Sequence, residues 1–178
     1  ILFDDNHRDN LLPLTFTRPV AELRVGITTL REKWENISGN PCSYHTQSYL
    51  AEKYPMVLKA DNLFINAGII PSDNLLEQIC RLKKDQVLLS DETVVAYNSD
   101  KSLTIDEALS LGDAISYPEP LLHIKNTWDI FTLNDEVLRD DFKRITGGRK
   151  SQVLSDTNRI LDKKNIFLEE GAKVECAT

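Results

Sequence analysis

The sequence predicts a three-layer α/β domain in which helices cover both faces of a largely parallel sheet. Short apolar runs bounded by turn residues are typical of buried strands, and they alternate with segments whose apolar residues recur at helical spacing. Strands that alternate with helices favour this layered architecture. The chain has 178 residues, 41% of them hydrophobic, and is therefore long enough to bury a substantial core.

Four segments are predicted to form strands. Residues 1–3 and 62–66 are apolar runs that end in polar residues. Residues 86–89 and 93–97 are separated only by Ser-Asp-Glu, which indicates a hairpin. We expect the first strand to be central in the sheet. The loop after it would then lie at the carboxyl edge of the sheet, where such folds bind ligands.

Two helix starts are marked by capping boxes, in which a hydroxyl and a carboxylate three residues apart satisfy free backbone N–H groups. Thr29 with Glu32 has this spacing, and so does Thr104 with Glu107. The two pairs predict helices that begin directly after Thr29 and Thr104.

Apolar periodicity predicts two more helices and leaves one ambiguity. Apolar residues recur at helical spacing over 75–80 and 130–142. The same spacing from Val20 to Trp34 would start the first helix early. Gly26 would weaken a helix interior by roughly 1 kcal/mol, so we expect that helix to begin after the glycine.

Composition and charge exclude several classes of function. The net charge of −7 argues against nonspecific binding of nucleic acid, which depends on clustered Lys and Arg. Three widely separated cysteines form no CxxC pair, which is typical of a reducing compartment. No apolar run is long enough to span a bilayer, and the polar residues after position 3 are unlike a signal peptide. We therefore expect a cytoplasmic protein whose partners are neither nucleic acid nor membrane.

Residues 12–26 carry the strongest motif in the chain. They read Leu-Pro-Leu-Thr-Phe-Thr-Arg-Pro-Val-Ala-Glu-Leu-Arg-Val-Gly. This segment resembles the second half of the signature of sugar-1-phosphate nucleotidyltransferases, in which Pro-Leu-Thr, two variable residues and Arg-Pro-Lys follow one another. Val20 stands where the signature has its lysine. The Trp-Asp pair at 128–129 and Asn134 resemble residues that close such domains.

Together these motifs resemble the GlmU-like family, in which a hexapeptide-repeat left-handed β-helix follows the sugar nucleotidyltransferase domain. The resemblance implies a Rossmann-like nucleotidyltransferase sheet of reduced size over residues 1–150. Aliphatic and small residues recur at about six-residue steps over 166–177. Residues 151–178 are therefore expected to be a linker and the first coil or coils of a truncated β-helix, and homo-oligomers would form through the missing part.

The resemblance implies transfer of a nucleotidyl group from UTP or dTTP to a sugar-1-phosphate, with release of pyrophosphate. This chemistry builds negative charge on phosphoryl oxygens and requires cations, N–H donors and Mg²⁺. Arg18 matches the arginine of the signature, and Arg8 is the candidate for the arginine of the family's phosphate loop. Both are expected to be catalytic, and Asp4 or Asp5 is expected to hold Mg²⁺.

Further residues of the same loops are expected to bind the substrates, namely Asn6, Thr15, Arg24 and Asn66. The three histidines have no metal-ligand spacing in the sequence. His7, His45 and His123 are each expected to be surface or turn residues.

The alternative is a catalytically degenerate domain that binds a ligand or regulates an attached β-helical acyltransferase. Three departures from the family pattern favour it. The loop at 4–10 has no glycine, position 20 has no lysine, and no aspartate follows the strand that ends at Asn66 in the turn where the family binds its metal.

Overall fold

The computed structural model describes residues 1–177. The strands are β1 (Leu2–Phe3), β2 (Arg24–Val25), β3 (Thr28–Thr29), β4 (Tyr44–His45), β5 (Asn62–Asn66), β6 (Gln86–Ser90), β7 (Thr93–Ser99) and β8 (Asp113–Ser116). The α-helices are α1 (Leu30–Ser38), α2 (Asp73–Cys80), α3 (Ile105–Leu109), α4 (Thr127–Thr132) and α5 (Asn134–Thr146). Short 3₁₀ helices lie at Asn6–Leu11, Val20–Glu22, Ser48–Leu50 and Lys163–Asn165.

The main sheet has the strand order β4-β1-β5-β7-β6-β8. Its neighbouring strands are parallel, except that β7 runs antiparallel to both β5 and β6. The largely parallel sheet and the β6–β7 hairpin are thereby confirmed. β1 is an interior strand, one position from the edge, and pairs with β4 on one side and β5 on the other.

Adjacent strand residues point to opposite faces of the sheet and enter two separate cores. Leu2 and Ile65 belong to a core that includes side chains of α1, α2 and α5. Their neighbours Phe3 and Phe64 belong to a second core that includes Ala108 of α3. Helices thus cover both faces, and the three-layer prediction is confirmed.

Both predicted capping boxes are present. At the start of α1, Thr29 Oγ1 accepts the N–H of Glu32, whose carboxylate in turn accepts the N–H of Thr29. Thr104 and Glu107 form the same reciprocal pair at the start of α3. The first helix therefore begins after the glycine, as expected. No helix within residues 1–177 combines the length and the apolar character needed to cross a bilayer.

Gly26 lies at the tip of the β2–β3 hairpin, which packs against α5. Its φ of +70° is left-handed, and a Cβ there would lie 2.6 Å from Asp141 Oδ2. The N–H of Gly26 donates to Asn134 Oδ1 (2.9 Å), and that of Ile27 donates to Asp141 Oδ2 (2.8 Å). The same carboxylate oxygen accepts a bond from the buried ammonium of Lys33. The glycine is thus required both by its backbone conformation and by this close packing.

Residues 151–177 follow α5 and, within these limits, include one short 3₁₀ helix and no strand. Hydrogen bonds join residues that are 16 to 19 positions apart, among them Asn158 to Val174 and Leu168 to Ser151. The β-helix and the domain boundary at residue 150 stay predictions.

Candidate functional site

The loops that follow the parallel strands meet at one edge of the sheet. The loop after β1 begins at Asp4, the turn after β5 includes residues 67–68, and the chain after β8 passes through residues 117–125. A pocket of about 420 Å³ lies at this edge, and its lining includes His123 and Lys125. Ligands of open α/β sheets bind outside the carboxyl ends of the strands. This edge is therefore the candidate site.

Asp5 is the centre of a polar cluster at the carboxyl edge. Its Oδ1 accepts the N–H of His7 at 2.9 Å, and its Oδ2 lies 2.9 Å from His7 Nδ1. Asn66 Nδ2 donates to the same Oδ2 at 2.8 Å, and His123 Nε2 lies 3.6 Å from it. Burial alone would raise the pKa of Asp5, but the hydrogen bonds from His7 and Asn66 outweigh it and lower that pKa. Asp5 is thus held as a carboxylate.

His123 is not the surface or turn residue that the sequence predicts. Its side chain is only 5% exposed, and within residues 1–177 its Nε2 has no hydrogen-bond partner. The adjacent Ile124 N–H donates to Gly68 O at 2.8 Å. A Cβ at Gly68 would lie 3.0 Å from His123 Nε2, so the glycine leaves room for the ring. Burial lowers the pKa of His123 to about 4, which keeps the imidazole neutral at pH 7.

The other two histidines differ from one another. His7 lies in the 3₁₀ helix after β1 and is half-buried, which agrees with its prediction as a turn residue. His45 lies in β4, where its ring packs edge-on against Phe64 with the ring centroids 6.2 Å apart. The prediction of a surface or turn residue is therefore wrong for His45, because the short strand around it is not visible as an apolar run.

Asp4 is buried, and its carboxylate is used within the fold. Its Oδ1 accepts the N–H of Val20 at 2.9 Å, and its Oδ2 accepts the hydroxyl of Thr46. Arg8 Nε lies 3.7 Å from the same Oδ2. Burial is the largest influence on Asp4 and raises its pKa from 3.8 to about 6, although these three partners act in the opposite direction.

Arg8, which is expected to contact the triphosphate, is 6% exposed. Its Nη2 donates to Thr15 O at 2.8 Å and to Tyr49 Oη at 2.6 Å, and its Nη1 donates to Asp9 at 3.1 Å. Thr15 is fully buried, and its hydroxyl donates to Arg8 O at 3.1 Å. Arg8 and Thr15 therefore hold two loops together, and this geometry favours a positioning role for both.

Asn66 connects β5 to the polar cluster. It is 1% exposed, and its Nδ2 also donates to Val94 O at 3.2 Å. Its Oδ1 accepts the N–H of Gly68 at 3.0 Å. Because the amide is used within the fold, its role here is to orient Asp5.

The remaining expected site residues are exposed. Asn6 begins the 3₁₀ helix after β1. Arg18 forms no ion pair with any residue between 1 and 177. Arg24 lies in β2, and its guanidinium donates to Ile27 O. The positive charge of Arg18 is therefore available to a phosphate.

Val20, at the place of the signature lysine, is 2% exposed and belongs to the core shared with α1, α2 and α5. This position packs into the fold and does not face a ligand. Lys125, from the chain after β8, lines the pocket instead. Sequence reasoning missed this lysine because no local pattern distinguishes it from a surface residue.

The fold and the geometry of the edge agree with a comparison to known proteins. Residues 1–150 match the family described as sugar nucleotidyl transferase. The chain belongs to this family. A search of curated proteins found no match to the chain. The family match supports a nucleotidyltransferase type of function, while the GlmU-like details stay predictions.

The side chains of this chain fit Mg²⁺ poorly at the place expected for it. Mg²⁺ prefers oxygen ligands in octahedral geometry. The carboxylate of Asp4 is used by Val20, Thr46 and Arg8. The carboxylate of Asp5 faces two imidazoles, which suit other divalent metals better. Mg²⁺ held by Asp4 or Asp5 stays a prediction.

Proposed function

We propose that this chain transfers a uridylyl or thymidylyl group from the nucleoside triphosphate to a sugar-1-phosphate at the carboxyl edge of its sheet. A phosphate oxygen of the sugar attacks the α-phosphorus, the bond from that phosphorus to the bridging oxygen breaks, and pyrophosphate leaves. The observation that carries this proposal is the pocket of about 420 Å³ at the carboxyl edge, which is lined by the turn between β6 and β7 and by the chain after β8. His123 of this lining lies 3.6 Å from Asp5 in the loop after β1. The family match over residues 1–150 supports it.

Two cations are suited to the phosphate charge that grows in this reaction. Arg18 is exposed in the signature-like segment, and its guanidinium suits bidentate contact with phosphate oxygens. Lys125 lines the pocket and supplies a positive charge there. Arg8 and Thr15 would support the reaction by fixing the loop after β1. Asn6 and Arg24, both exposed, would contact the substrates.

Release of pyrophosphate tests the proposal directly. The chain is incubated with UTP, dTTP, ATP or GTP and a hexose-1-phosphate, each alone and in pairs, in buffers with several divalent cations. We expect release only when UTP or dTTP is present together with the sugar phosphate. Lys125→Ala should lower the rate, whereas Lys84→Ala should not, because Lys84 is exposed near the amino edge and pairs with Asp100. Release that is absent with every pair would contradict the proposal.

A second candidate is a nucleotide-binding or regulatory domain without turnover. Two features favour it: the guanidinium of Arg8 is hydrogen-bonded within the fold, and Val20 is buried. In the family that the sequence resembles, both positions carry cations that bind phosphate. Calorimetric titration with UTP and dTTP separates the two candidates. Binding without pyrophosphate release would support this second one. Cytoplasmic location and assembly through a β-helix are predictions that both candidates share.

A further inference from the structure

Three potential metal ligands from distant parts of the chain converge at the carboxyl edge. One donor atom from each of Asp5, His7 and His123 lies within 4.8 Å of the other two. Asp5 Oδ2 is common to the closest approaches, at 2.9 Å from His7 Nδ1 and 3.6 Å from His123 Nε2. A metal ion bonded at about 2.0–2.2 Å to each donor in tetrahedral geometry would space them roughly 3.3 Å apart. The cluster therefore needs only small side-chain shifts to close around an ion.

The unpartnered Nε2 atom of His123 is independent evidence for a ligand at this cluster. The side chain is buried, points toward Asp5 and, in the part of the chain that the structure describes, has no hydrogen-bond partner. A buried polar nitrogen without a partner is costly, and such atoms call for an explanation. A bound cation in front of Nε2 would satisfy it.

We propose that Asp5, His7 and His123 bind a divalent transition-metal ion of the Zn²⁺ class. Two imidazoles and one carboxylate are the donor set of catalytic zinc sites and of related sites for other first-row metals. Mg²⁺, by contrast, prefers oxygen ligands. This inference stands on the cluster alone and does not depend on the proposed reaction.

The surroundings hold this donor set in place. Asn66 Nδ2 donates to Asp5 Oδ2, and the rest of the Asn66 amide is fixed by Val94 and Gly68. The missing side chain at Gly68 gives the His123 ring its space. Such supporting contacts orient metal ligands in established sites. His7 would carry its proton on Nε2 when Nδ1 binds the ion.

The site would keep an open coordination position. Three protein ligands leave one place of a tetrahedral ion free for water or a substrate oxygen. His123 also lines the pocket of about 420 Å³, together with Lys125 and Thr93. The ion would therefore face the space in which a ligand binds.

Calorimetric titration of Zn²⁺ into chelator-treated protein, without nucleotide, tests this site. Serine replaces all three free cysteines beforehand, because thiolates also bind Zn²⁺; they are Cys42, Cys80 and Cys176. We expect one ion per chain, and we expect Mg²⁺ at the same concentrations not to compete. His7→Gln and His123→Gln should each lower the affinity for Zn²⁺ more than about tenfold.

His45→Gln is the matched control, since His45 is also half-buried but lies in β4, where it packs against Phe64. It should bind Zn²⁺ like the parent protein. Circular dichroism checks that each variant is folded. If His123→Gln does not fold, His7→Gln still tests the site, because the His7 side chain is 34% exposed and its replacement should leave the fold intact. No binding to the parent, or equal loss in His45→Gln and His7→Gln, would overturn the inference. Either result would leave the test of pyrophosphate release unaffected.

Discussion

The backbone N–H of Val20 donates to Asp4 Oδ1 at 2.9 Å and fastens the signature-like segment to the loop after β1. Val20 packs into the core, and the side chain of Asp4 is only 4% exposed. The Asp4 carboxylate also accepts the hydroxyl of Thr46. The contact explains why the two segments predicted to bind nucleotide pack directly against one another. It also places an ionisable group where its charge costs free energy.

Asp4 should make the protein less stable as the pH rises. Its pKa is about 6 in the folded protein against an ordinary 3.8, so its contribution is complete below pH 3.8 and is lost as the pH passes through about 6. This shift corresponds to roughly 3 kcal/mol of unfolding free energy. Asp4→Asn should remove most of that decline, because the asparagine side chain does not ionise. Its amide oxygen can still accept the N–H of Val20, so the contact between the two segments is kept. Urea unfolding across this pH range, with a chelator present, measures it.

Titration of His123 changes the stability in the opposite direction, so its effect must be separated from that of Asp4. Its pKa falls from 6.5 to about 4 on burial, so its contribution is present above pH 6.5 and is lost as the pH falls toward 4. Because the parent and Asp4→Asn share His123, the difference between their profiles isolates Asp4. Asp9→Asn, which changes an exposed partner of Arg8, is the control and should keep the parent's profile. Parallel profiles for Asp4→Asn and the parent would refute the prediction.

The ion pair between Lys33 and Asp141 should contribute strongly to stability. Both side chains are buried, and Asp141 also accepts the N–H groups of Ile27 and Thr28. Asp141→Ala would leave a buried ammonium unpaired and should cost about 3–5 kcal/mol of unfolding free energy. Asp140→Ala removes a neighbouring carboxylate that is 53% exposed and should cost less than about 1 kcal/mol.

Urea unfolding of both variants at pH 7 gives the comparison. The double variant Lys33→Met with Asp141→Leu removes both charges and should recover part of the loss, because apolar side chains can replace a buried ion pair. An Asp141→Ala protein as stable as Asp140→Ala would show that Lys33 finds another partner or reaches water.

Most of the sheet could be predicted because its strands and caps are encoded locally. The hairpin of β6 and β7 has two apolar runs around a tight turn, and Thr29 and Thr104 mark helix starts through residues three positions away. The edge strands β4 and β8 escaped prediction. β4 is only two residues long, and β8 is largely exposed and polar, so neither has the apolar pattern of a buried strand.

The polar cluster could not be predicted because it depends on the order of strands in the sheet. Asp5 and His7 are neighbours in sequence, but His123 joins them only because its segment pairs with the turn after β5. The internal role of Arg8 was hidden for the same reason, since Tyr49 contacts it from a separate loop. The burial of Val20, by contrast, agrees with its apolar side chain, which packs into the core where the signature has a lysine.

Binding of phosphate by Arg18 would link the signature-like segment to the proposed reaction. It is exposed and forms no ion pair with residues 1–177, so its charge is available to phosphate. If it binds phosphate oxygens, Arg18→Ala should remove about 1.5–3 kcal/mol of binding free energy. Affinity for UTP or dTTP, measured by calorimetry, should then fall roughly tenfold to a hundredfold. The melting temperature should hardly change, because the fold loses no contact.

Arg81→Ala is the matched control for this measurement. Arg81 is an exposed arginine that pairs with Glu77 and lies just before β6, at the opposite edge of the sheet. Its loss should leave nucleotide affinity unchanged. If Arg18→Ala and Arg81→Ala bind equally well, Arg18 does not hold the phosphates, and the charge that stabilises them must come from Lys125 and the groups around the pocket. A lower melting temperature for Arg18→Ala with unchanged affinity would instead assign Arg18 a structural role and favour the binding domain without turnover.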